Sequence, residues 1–422
     1  MKNKKKILWF SLYPFREENM RSTGTWLGSM IQALLETDEV ELYNVAFGNV
    51  EEPTRKDCKK VSQWIIPHEK INKKGLPSRK TINYIKKLEA EISPDLIHIW
   101  GTESYWGMLA AQKILSAPVL LDMQGIIVAC AKVYYGGLTN KELIECIGLK
   151  EILLPIRHLY FRKRGFEKKG IHERYIIQNT PFISVQSEWV KTYIEHENPV
   201  CKIFPTGIML RKEFYEAQPW TIENRENPVI FTSSSGSVSY KGLHVLFRAI
   251  AVLKQKFPTI QLRIAGIIQY AKYGYIRDGY SAWLLKEAKR LDIVDSIVWL
   301  GGLNAEEIVD QFHAASAVVI PSYVESYCLV LAEAMIVGVP TAVSYAGAMP
   351  ELARHNESAL YFPVGDYMSC ACQIEKLLFN KALAEKLSKQ AREEGLNRNN
   401  ANKVVKRQLE IYNEVIDQTT GN

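Results

Sequence analysis

The chain has 422 residues, of which 47% are hydrophobic and 23% are charged, and its formal net charge is +7. This length and composition are typical of two or three soluble domains with buried cores. No run approaches the roughly 18 consecutive apolar residues that cross a bilayer, and no nucleic-acid-binding module accompanies the mild charge. The seven cysteines include no CxxC pair and no zinc-type spacing. The composition therefore predicts a protein of a reducing cytoplasm without a metal site.

The N-terminal half alternates between strand-like and helix-like segments. Helical patterns are present at 25–36, 80–92 and 107–115. Between and around them, apolar runs predict strands at 6–13, 41–47, 62–67, 96–100, 119–124 and 182–187. This alternation predicts a parallel sheet wrapped by helices.

Residues 140–175 interrupt the alternation with a helix-rich insertion. Within it, the basic residues between Arg157 and Lys169 interleave with four large apolar residues. Such a stretch suits an anionic membrane surface, and it equally suits a solvated helix face. The sequence alone leaves both interpretations open.

The second half restarts the alternation after a polar segment at 216–228, which we interpret as an interdomain linker. Asn304 and Glu307 form a capping-box pattern at the start of one predicted helix. Strands are predicted at 229–234, 261–266, 296–301 and 317–322. We therefore predict two Rossmann-like domains on either side of a cleft, with ligands beyond the carboxyl ends of the strands.

The domain boundaries follow from this division. Residues 1–208 form the predicted N-terminal, acceptor-side domain, which includes the helical insertion at about 140–175. Residues 209–400 form the predicted donor domain. Residues 401–422 form a terminal helix and tail, with apolar residues on one helical stripe. This helix could cross back to the N-terminal domain or pack on the donor domain.

Two glutamates stand eight positions apart across a strand-to-helix junction. Glu325 follows the predicted strand at 317–322, and Glu333 lies inside the helix that Gly338 closes. Both carboxylates can face a ligand beyond the strand end, and the amides at the helix start between them can hold a phosphate. The junction offers acceptors for sugar hydroxyls and donors for a diphosphate.

The residues around this pair are more specific than its spacing. The sequence PS precedes Glu325, EAM begins at Glu333, GVP ends the helix, and GAMPEL begins at Gly347. In this frame the chain resembles the retaining glycosyltransferases of family 4, also called glycosyl transferases group 1. The resemblance is strongest over 228–364 and implies the GT-B fold, in which a C-terminal helix crosses back to the N-terminal domain.

The resemblance also implies roles for the residues of this junction. Glu333 is expected to bind the ribose hydroxyls of a nucleoside-diphosphate sugar, taken here as a UDP-sugar, and Glu325 the donor sugar. Gly302 is expected beside the base. Backbone amides toward sugar and phosphate are expected from Ser326, Tyr327, Cys328 and Leu329. Many relatives have Gly where Cys328 stands.

Lys241 is the predicted cation for the diphosphate. It follows a run of small residues that includes Gly236, and it resembles the lysine of the family's Gly-Arg…Lys-Gly segment, whose arginine is missing here. Small residues let the backbone approach phosphate, and the lysine supplies a positive charge at the next helix start. No Asp-x-Asp occurs in the chain. We therefore expect metal-independent catalysis without a cofactor.

The N-terminal domain contributes fewer candidates. Gly24 and Thr25 open the first helix and could form either a second amide cradle or a simple helix cap. Gln124 replaces the histidine that many relatives carry, so it can position a hydroxyl but cannot act as a base. His98 and Glu103 flank a strand end and are candidates for the acceptor side.

The first hypothesis is a retaining hexosyltransferase that moves a sugar to a hydroxyl acceptor in cell-surface polysaccharide or glycolipid synthesis. Glu325 and Lys241 are its expected catalytic residues. The protein is expected in the cytoplasm, at the inner face of the plasma membrane. Two alternatives remain: a non-catalytic nucleotide-sugar-binding protein, and a nucleotide-sugar epimerase of the same fold. The missing arginine and histidine motivate the first alternative.

Overall fold

The computed structural model describes residues 4–15, 26–222, 227–234, 238–266 and 278–420. The chain divides into two compact units, each assembled from separate stretches of sequence. The first unit comprises Met1–Val128, Lys168–Met209 and Asn399–Asn422. The second comprises Ala129–Glu167 and Leu210–Arg398.

The first unit contains an eight-stranded sheet with the order β3-β4-β2-β1-β5-β6-β7-β8. Every neighbouring pair is parallel except β3 and β4, which are antiparallel. The central β5 is buried along its whole length, because helices cover both faces of a parallel sheet. The strands are β1 (Lys5–Ser11), β2 (Val40–Gly48), β3 (Thr54–Arg55), β4 (Ser62–Pro67), β5 (Leu96–Trp100), β6 (Val119–Asp122), β7 (Phe182–Val185) and β8 (Lys202–Pro205).

Helices connect most of these strands, whereas the parallel strands β2 and β4 are joined through β3. Ser78 caps the second of them through its side chain. The helices that lie wholly in this unit are α1 (Trp26–Glu36), α2 (Arg79–Ile92), α3 (Trp106–Ala111), α8 (Glu188–Glu197) and α17 (Ala401–Thr420). Two further helices contain residues of both units. They are α4 (Ile127–Lys132) and α7 (Leu159–Gln178).

The terminal helix α17 belongs to the first unit, which is one of the two placements that the sequence left open. Its buried stripe includes Val405, Ile411 and Tyr412. The Tyr412 hydroxyl accepts a hydrogen bond from Trp9 Nε1 at 3.1 Å and lies 2.8 Å from His98 Nδ1. The last helix of the chain is therefore joined to β1 and β5.

The second unit contains a six-stranded, fully parallel sheet with the order β11-β10-β9-β12-β13-β14. Its central strands β12 and β13 are buried throughout. The strands are β9 (Val229–Ser233), β10 (Gln261–Ala265), β11 (Ile297–Gly301), β12 (Ala317–Ile320), β13 (Thr341–Ser344) and β14 (Leu360–Phe362).

The helices of the second unit begin and end at residues with the expected chemistry. The predicted capping box of Asn304 and Glu307 is present, and Gly338 ends α13 in the left-handed conformation. These helices are α5 (Asn140–Glu145), α6 (Leu149–Leu153), α9 (Lys212–Glu216), α10 (Leu243–Lys254), α11 (Gly279–Arg290), α12 (Ala305–Ala314), α13 (Leu329–Val337), α14 (Met349–Leu352), α15 (Tyr367–Phe379) and α16 (Lys381–Arg398).

The helical insertion differs from its predicted place in the N-terminal domain. Residues 129–167 group with the second unit. Tyr134, Leu138 and Leu159 belong to the hydrophobic core that surrounds α10, and His244 Nε2 lies 2.9 Å from the carbonyl oxygen of Gly136. The insertion therefore completes a core that residues 210–398 leave open on that side.

The segment predicted as a linker at 216–228 is also anchored to the second unit. Trp220 is buried, its backbone N–H donates to Val337 at 2.8 Å, and its indole N–H donates to Ala315 at 2.9 Å. Residues 223–226 lie outside the described residues. Within the described ranges, no helix is long and apolar enough to cross a membrane.

Candidate functional site

Lys241 and Glu325 form an ion pair beyond the carboxyl ends of β9 and β12. Lys241 ends a short 3₁₀ helix, Ser239–Lys241, after β9, and Glu325 lies in the loop between β12 and α13. Lys241 Nζ donates to Glu325 Oε1 at 2.7 Å, and the Ser322 hydroxyl donates to the same oxygen at 2.7 Å. The two residues that the sequence singled out as catalytic are thus in direct contact.

Close backbone contacts hold the two loops together. The Tyr323 N–H donates to the Tyr240 carbonyl at 2.7 Å. Gly242 has φ +72°, and a Cβ there would lie 2.0 Å from the Pro321 carbonyl oxygen. Only glycine fits this approach without displacing the backbone. The loop after β9 and the loop after β12 are consequently fixed against each other.

A second glycine fixes Glu325 from the other side. Gly347, in the loop after β13, has φ +54°, and a Cβ there would lie 2.0 Å from the Glu325 carbonyl oxygen. The Ala348 N–H donates to that carbonyl at 2.8 Å. The GAMPEL sequence that supported the family resemblance therefore positions the backbone of Glu325.

The ion pair favours the charged form of Lys241. Burial lowers the pKa of the Lys241 ammonium, but the Glu325 carboxylate outweighs burial and holds this pKa above its ordinary value. The side chains remain 24% and 13% exposed, so a ligand can reach them. An anion that bound here would meet a permanent ammonium charge already held by its carboxylate partner.

The turn between Glu325 and α13 has an unusual backbone. Cys328, the residue before α13, has φ +83° and ψ +78°, in the left-handed region that favours glycine. The turn delivers Leu329 as the first residue of α13, and a helix start presents N–H groups without intrahelical partners. The predicted amides of Ser326 to Leu329 thus lie at a position suited to an anion.

Glu333 has a partner that sequence reasoning missed. Arg211 Nη2 donates to Glu333 Oε1 at 2.9 Å, and both side chains are at most 10% exposed. Burial raises the pKa of Glu333, and the Arg211 guanidinium opposes this. Arg211 lies 122 positions away in sequence, just before α9, and carries no local motif. Only the fold brings the two together.

The remaining donor-side candidates are not all in the described part of the chain. Gly302 follows β11 and is exposed, and its neighbour Gly301 has φ +72°. Gly24, Thr25 and Gly236 lie outside the described residues. The fold thus brings together the candidates from Lys241 to Glu333 and leaves these others as predictions.

The first unit contains the acceptor-side candidates. His98 is buried in β5 between Trp9, Trp100 and Tyr412, and burial holds its pKa well below its ordinary value, so it is a neutral core residue. Gln124 donates to Asp122 Oδ1 at the end of β6. Glu103 follows β5, and burial raises the pKa of its carboxyl group to about 7. Of the three, Glu103 has the protonation behaviour of a functional group.

The described residues include no candidate cluster for binding a metal ion. No group of three or more His, Cys, Asp or Glu side chains there could hold a metal ion. The described polar groups of the second-unit site are instead an ammonium, two carboxylates, a guanidinium and helix-start amides. These groups can bind an anion and hydroxyl groups side by side.

Comparison with known proteins identifies the class. HepE from Anabaena, solved in complex with UDP-glucose, matches the fold with a TM-score of 0.65 at 15% identity, over 99% of this chain and 100% of that one. The chain is 26% identical over 331 residues to the amylovoran biosynthesis glycosyltransferase AmsK of Erwinia amylovora, covering 75% and 76% of the two proteins. Together with the two parallel sheets, these matches define a GT-B glycosyltransferase fold, as the sequence predicted.

The family match falls on the second unit. Residues 215–394 match the family described as glycosyl transferases group 1, so the predicted resemblance is confirmed over this stretch. The chain is also 27% identical over 159 residues to the glycogen synthase of Mycobacterium tuberculosis, covering 37% of this chain and 36% of that protein. The match thus spans about a third of that relative's length.

Proposed function

We propose that the protein is a retaining, metal-independent glycosyltransferase that moves a hexose from a nucleoside-diphosphate sugar to a hydroxyl acceptor. The observation that carries this proposal is the Lys241–Glu325 pair beside the start of α13. A departing diphosphate needs neutralising charge, and an ammonium with helix-start amides can supply it without a metal. UDP-glucose bound to HepE supports a UDP-sugar as the donor.

The residues of the site have separate roles in the transfer. Lys241 and the α13 amides stabilise negative charge on the diphosphate as the bond from the sugar C1 to its phosphate oxygen breaks. Glu325 orients the donor sugar, and Glu333, held by Arg211, orients the ribose. The acceptor oxygen bonds to C1 on the same face, and the departing phosphate oxygen takes the acceptor proton. Gln124 then only positions a hydroxyl group, because an amide cannot act as a base near neutral pH.

Substitution of the pair tests this proposal. Lys241→Ala removes the positive charge beside the departing diphosphate, and Glu325→Ala removes the carboxylate that orients the donor sugar. Each should therefore lower kcat by roughly 10²–10³-fold. Lys254→Ala is the matched control, because Lys254 ends α10 and pairs with Asp295 on the surface. Product formation and nucleoside diphosphate release are measured across UDP-, GDP- and ADP-sugars. Full turnover in both site variants would refute the assignment.

The same measurements separate the alternatives. Retention predicts an α-linked product from an α-linked donor, read by proton NMR of the new anomeric signal. A sugar isomerised with donor alone would indicate an epimerase. Donor binding in calorimetry without transfer across broad acceptor panels would indicate a non-catalytic binding protein.

We also propose that the acceptor is carried at an anionic membrane, in polysaccharide or glycolipid synthesis at the inner face of the plasma membrane. Large apolar residues at the end of α6 and just after it are exposed: Ile152 by 64%, Leu153 by 76% and Ile156 by 78%. The neighbouring turn of α7 carries Arg162, Lys163 and Arg164 against a single acidic partner, Glu167. Apolar residues beside cations suit an anionic interface. The amylovoran biosynthesis name of AmsK agrees with a polysaccharide product.

Vesicle binding tests the membrane proposal. Changing Arg162, Lys163 and Arg164 to Gln should weaken binding to vesicles with anionic lipid by about 100-fold, at roughly 1 kcal/mol per charge. The charge-matched control changes Lys381, Lys386 and Lys389 to Gln on the exposed face of α16. Changing Leu153 and Ile156 to Asn should weaken binding further. Equal binding by the control and the α7 variant would contradict the proposal.

A further inference from the structure

The loop that carries Lys241 is held by the helical insertion on both sides of the lysine. Ser239 precedes Lys241 and His244 follows it, and both side chains are almost fully buried. Ser239 Oγ donates to the carbonyl oxygen of Tyr134 at 2.5 Å, and His244 Nε2 lies 2.9 Å from the carbonyl oxygen of Gly136. Both acceptors belong to one short turn of the insertion, although they are more than a hundred positions away in sequence.

A glycine lets this turn, residues 134–137, approach the loop closely. Gly136 has φ +59°, and a Cβ there would lie 2.2 Å from the Ser239 carbonyl oxygen and 3.0 Å from the Tyr240 backbone nitrogen. Any side chain at 136 would therefore displace the peptide between Ser239 and Tyr240. This peptide lies directly before Lys241, so the insertion turn sets the backbone from which the lysine extends.

The His244 ring has one consistent set of hydrogen bonds. Its Nε2 faces a carbonyl oxygen, which can only accept, so Nε2 carries the proton. Its Nδ1 then accepts from the Tyr280 hydroxyl at 2.9 Å. Burial lowers the pKa of His244 to about 4, so the ring is neutral near neutral pH and this arrangement persists. His244 thus joins the insertion turn to α10 and α11.

Aromatic rings fill the space between the insertion and the loop. The centroid of the Tyr134 ring lies 4.9 Å from that of Phe166 and 5.9 Å from that of Tyr240. Tyr134 is fully buried and belongs to the hydrophobic core around α10. Because protein cores are close-packed, the insertion turn cannot shift without disturbing the loop that carries Lys241.

We propose that the insertion turn positions Lys241 for transfer, and that His244 is the positioning residue that joins this turn to the start of α10. This inference rests on the proposed function, because His244 would act through the lysine that neutralises the diphosphate. Glu325 fixes only the ammonium end of a long, flexible side chain, so the Lys241 backbone has to be held as well. A displacement of about 1 Å can lower the rate of an enzyme by about 100-fold.

Two substitutions of His244 test this inference because each keeps a different nitrogen. The amide nitrogen of Gln reaches the place of Nε2, whereas the shorter Asn reaches only the place of Nδ1. His244→Gln can still donate to Gly136 and should lower kcat by about threefold at most. His244→Asn leaves this carbonyl without its donor and should lower kcat by roughly 10- to 100-fold. His313→Asn is the matched control, since His313 Nε2 lies 2.8 Å from the Gln218 carbonyl oxygen, and its kcat should be unchanged.

The Lys241→Ala background separates positioning from a general loss of stability. If His244 acts through Lys241, His244→Asn should not lower kcat further in a protein that already has Lys241→Ala. Damage to the fold would lower kcat in both backgrounds, and urea titration of each variant measures its stability directly. Unchanged kcat in His244→Asn, equal losses in His244→Asn and His244→Gln, or the same loss in both backgrounds would each overturn the proposal.

Gly136→Ala tests the insertion turn itself. Its Cβ would push against the Ser239 carbonyl oxygen, so kcat should fall by roughly 10- to 100-fold, as in His244→Asn. Gly165→Ala is the control within the insertion, because a Cβ at Gly165 would meet no heavy atom within 4 Å. Full turnover by Gly136→Ala would contradict the role of the turn.

Crystal structures of the two His244 variants without ligand keep this inference separate from the proposed reaction. Lys241 Nζ lies 2.7 Å from Glu325 Oε1 in the unaltered protein. It should stay within hydrogen-bond distance in His244→Gln and leave it in His244→Asn. A displaced lysine would support positioning even if no donor were turned over. Normal turnover by His244→Asn, with the lysine in place, would overturn positioning and leave the proposed reaction standing.

Discussion

Asp122, at the end of β6, shows how burial and hydrogen bonding compete at a single residue. Its carboxyl group accepts from Ser184 Oγ at 2.7 Å, from Gln186 Nε2 at 2.6 Å and from Gln124. The three donors favour the charged form, yet burial dominates and raises the pKa of Asp122 to about 7. Gln124, predicted to position a ligand, is thus also part of the support of a buried acid.

This pKa makes the stability of the protein depend on pH. The folded pKa of about 7 lies above the ordinary 3.8, so the folded state holds a proton that the unfolded chain has lost. The stabilisation is fully present below about pH 4 and disappears as the pH rises to about 7, by on the order of 4 kcal/mol. Asp122→Asn should remove this dependence, since its amide keeps one acceptor for the glutamines and offers a donor to Ser184.

Urea titrations of both proteins at pH 4.5 and pH 8 measure the effect. The free energy of unfolding of Asp122→Asn, minus that of the unaltered protein, should be several kcal/mol higher (the variant relatively more stable) at pH 8 than at pH 4.5. Asp57→Asn is the control, since Arg55 holds the pKa of the exposed Asp57 below its ordinary value. A difference between the two proteins that stays constant with pH would contradict the assignment.

At the scale of elements, local pattern predicted most of the framework. The strand before Glu325 and the helix after it were predicted from a short apolar run and from Gly338, and the structure has β12 and α13 there. The Asn304 cap of α12 was likewise predicted from residues three positions apart. These features depend on residues that are close in sequence, so local sequence pattern predicts them.

Features that depend on residues far apart in sequence could not be predicted from local pattern. The contacts of Arg211 with Glu333 and of Gly136 with His244 arise only when segments far apart in sequence become neighbours. The helical insertion, predicted at about 140–175, was assigned to the N-terminal domain by chain order, whereas residues 129–167 group with the second unit and contribute side chains to the core around α10. The φ of +83° at Cys328 was also not predicted, because the propensity of cysteine does not favour the left-handed region.

At the scale of the whole molecule, the chain builds its first unit from its two ends and an internal stretch. Residues 399–422 return to this unit after the whole of 210–398 has formed the second. Asn399 Nδ2 donates to the Ile208 carbonyl at 2.8 Å, and Gly207 lies against Val404. The first unit therefore cannot be completed until the last residues of the chain are in place, so its stability should depend on α17.

Tyr412 offers the sharpest test of this dependence. Its hydroxyl is fully buried between Trp9 Nε1 and His98 Nδ1, and the low pKa of His98 keeps the imidazole neutral. Tyr412→Phe removes the hydroxyl oxygen and leaves Trp9 Nε1 and His98 Nδ1 without this hydrogen-bond partner. The free energy of unfolding should fall by roughly 2–4 kcal/mol. Hydrogen exchange of β1 and β5 should accelerate on the order of 100-fold, because these strands carry Trp9 and His98. Exchange in β12 and β13, within the second unit, serves as the internal reference, and Tyr175→Phe controls for loss of a surface hydroxyl. Unchanged exchange in β1 and β5 would mean that the first unit does not need the hydroxyl of its last helix.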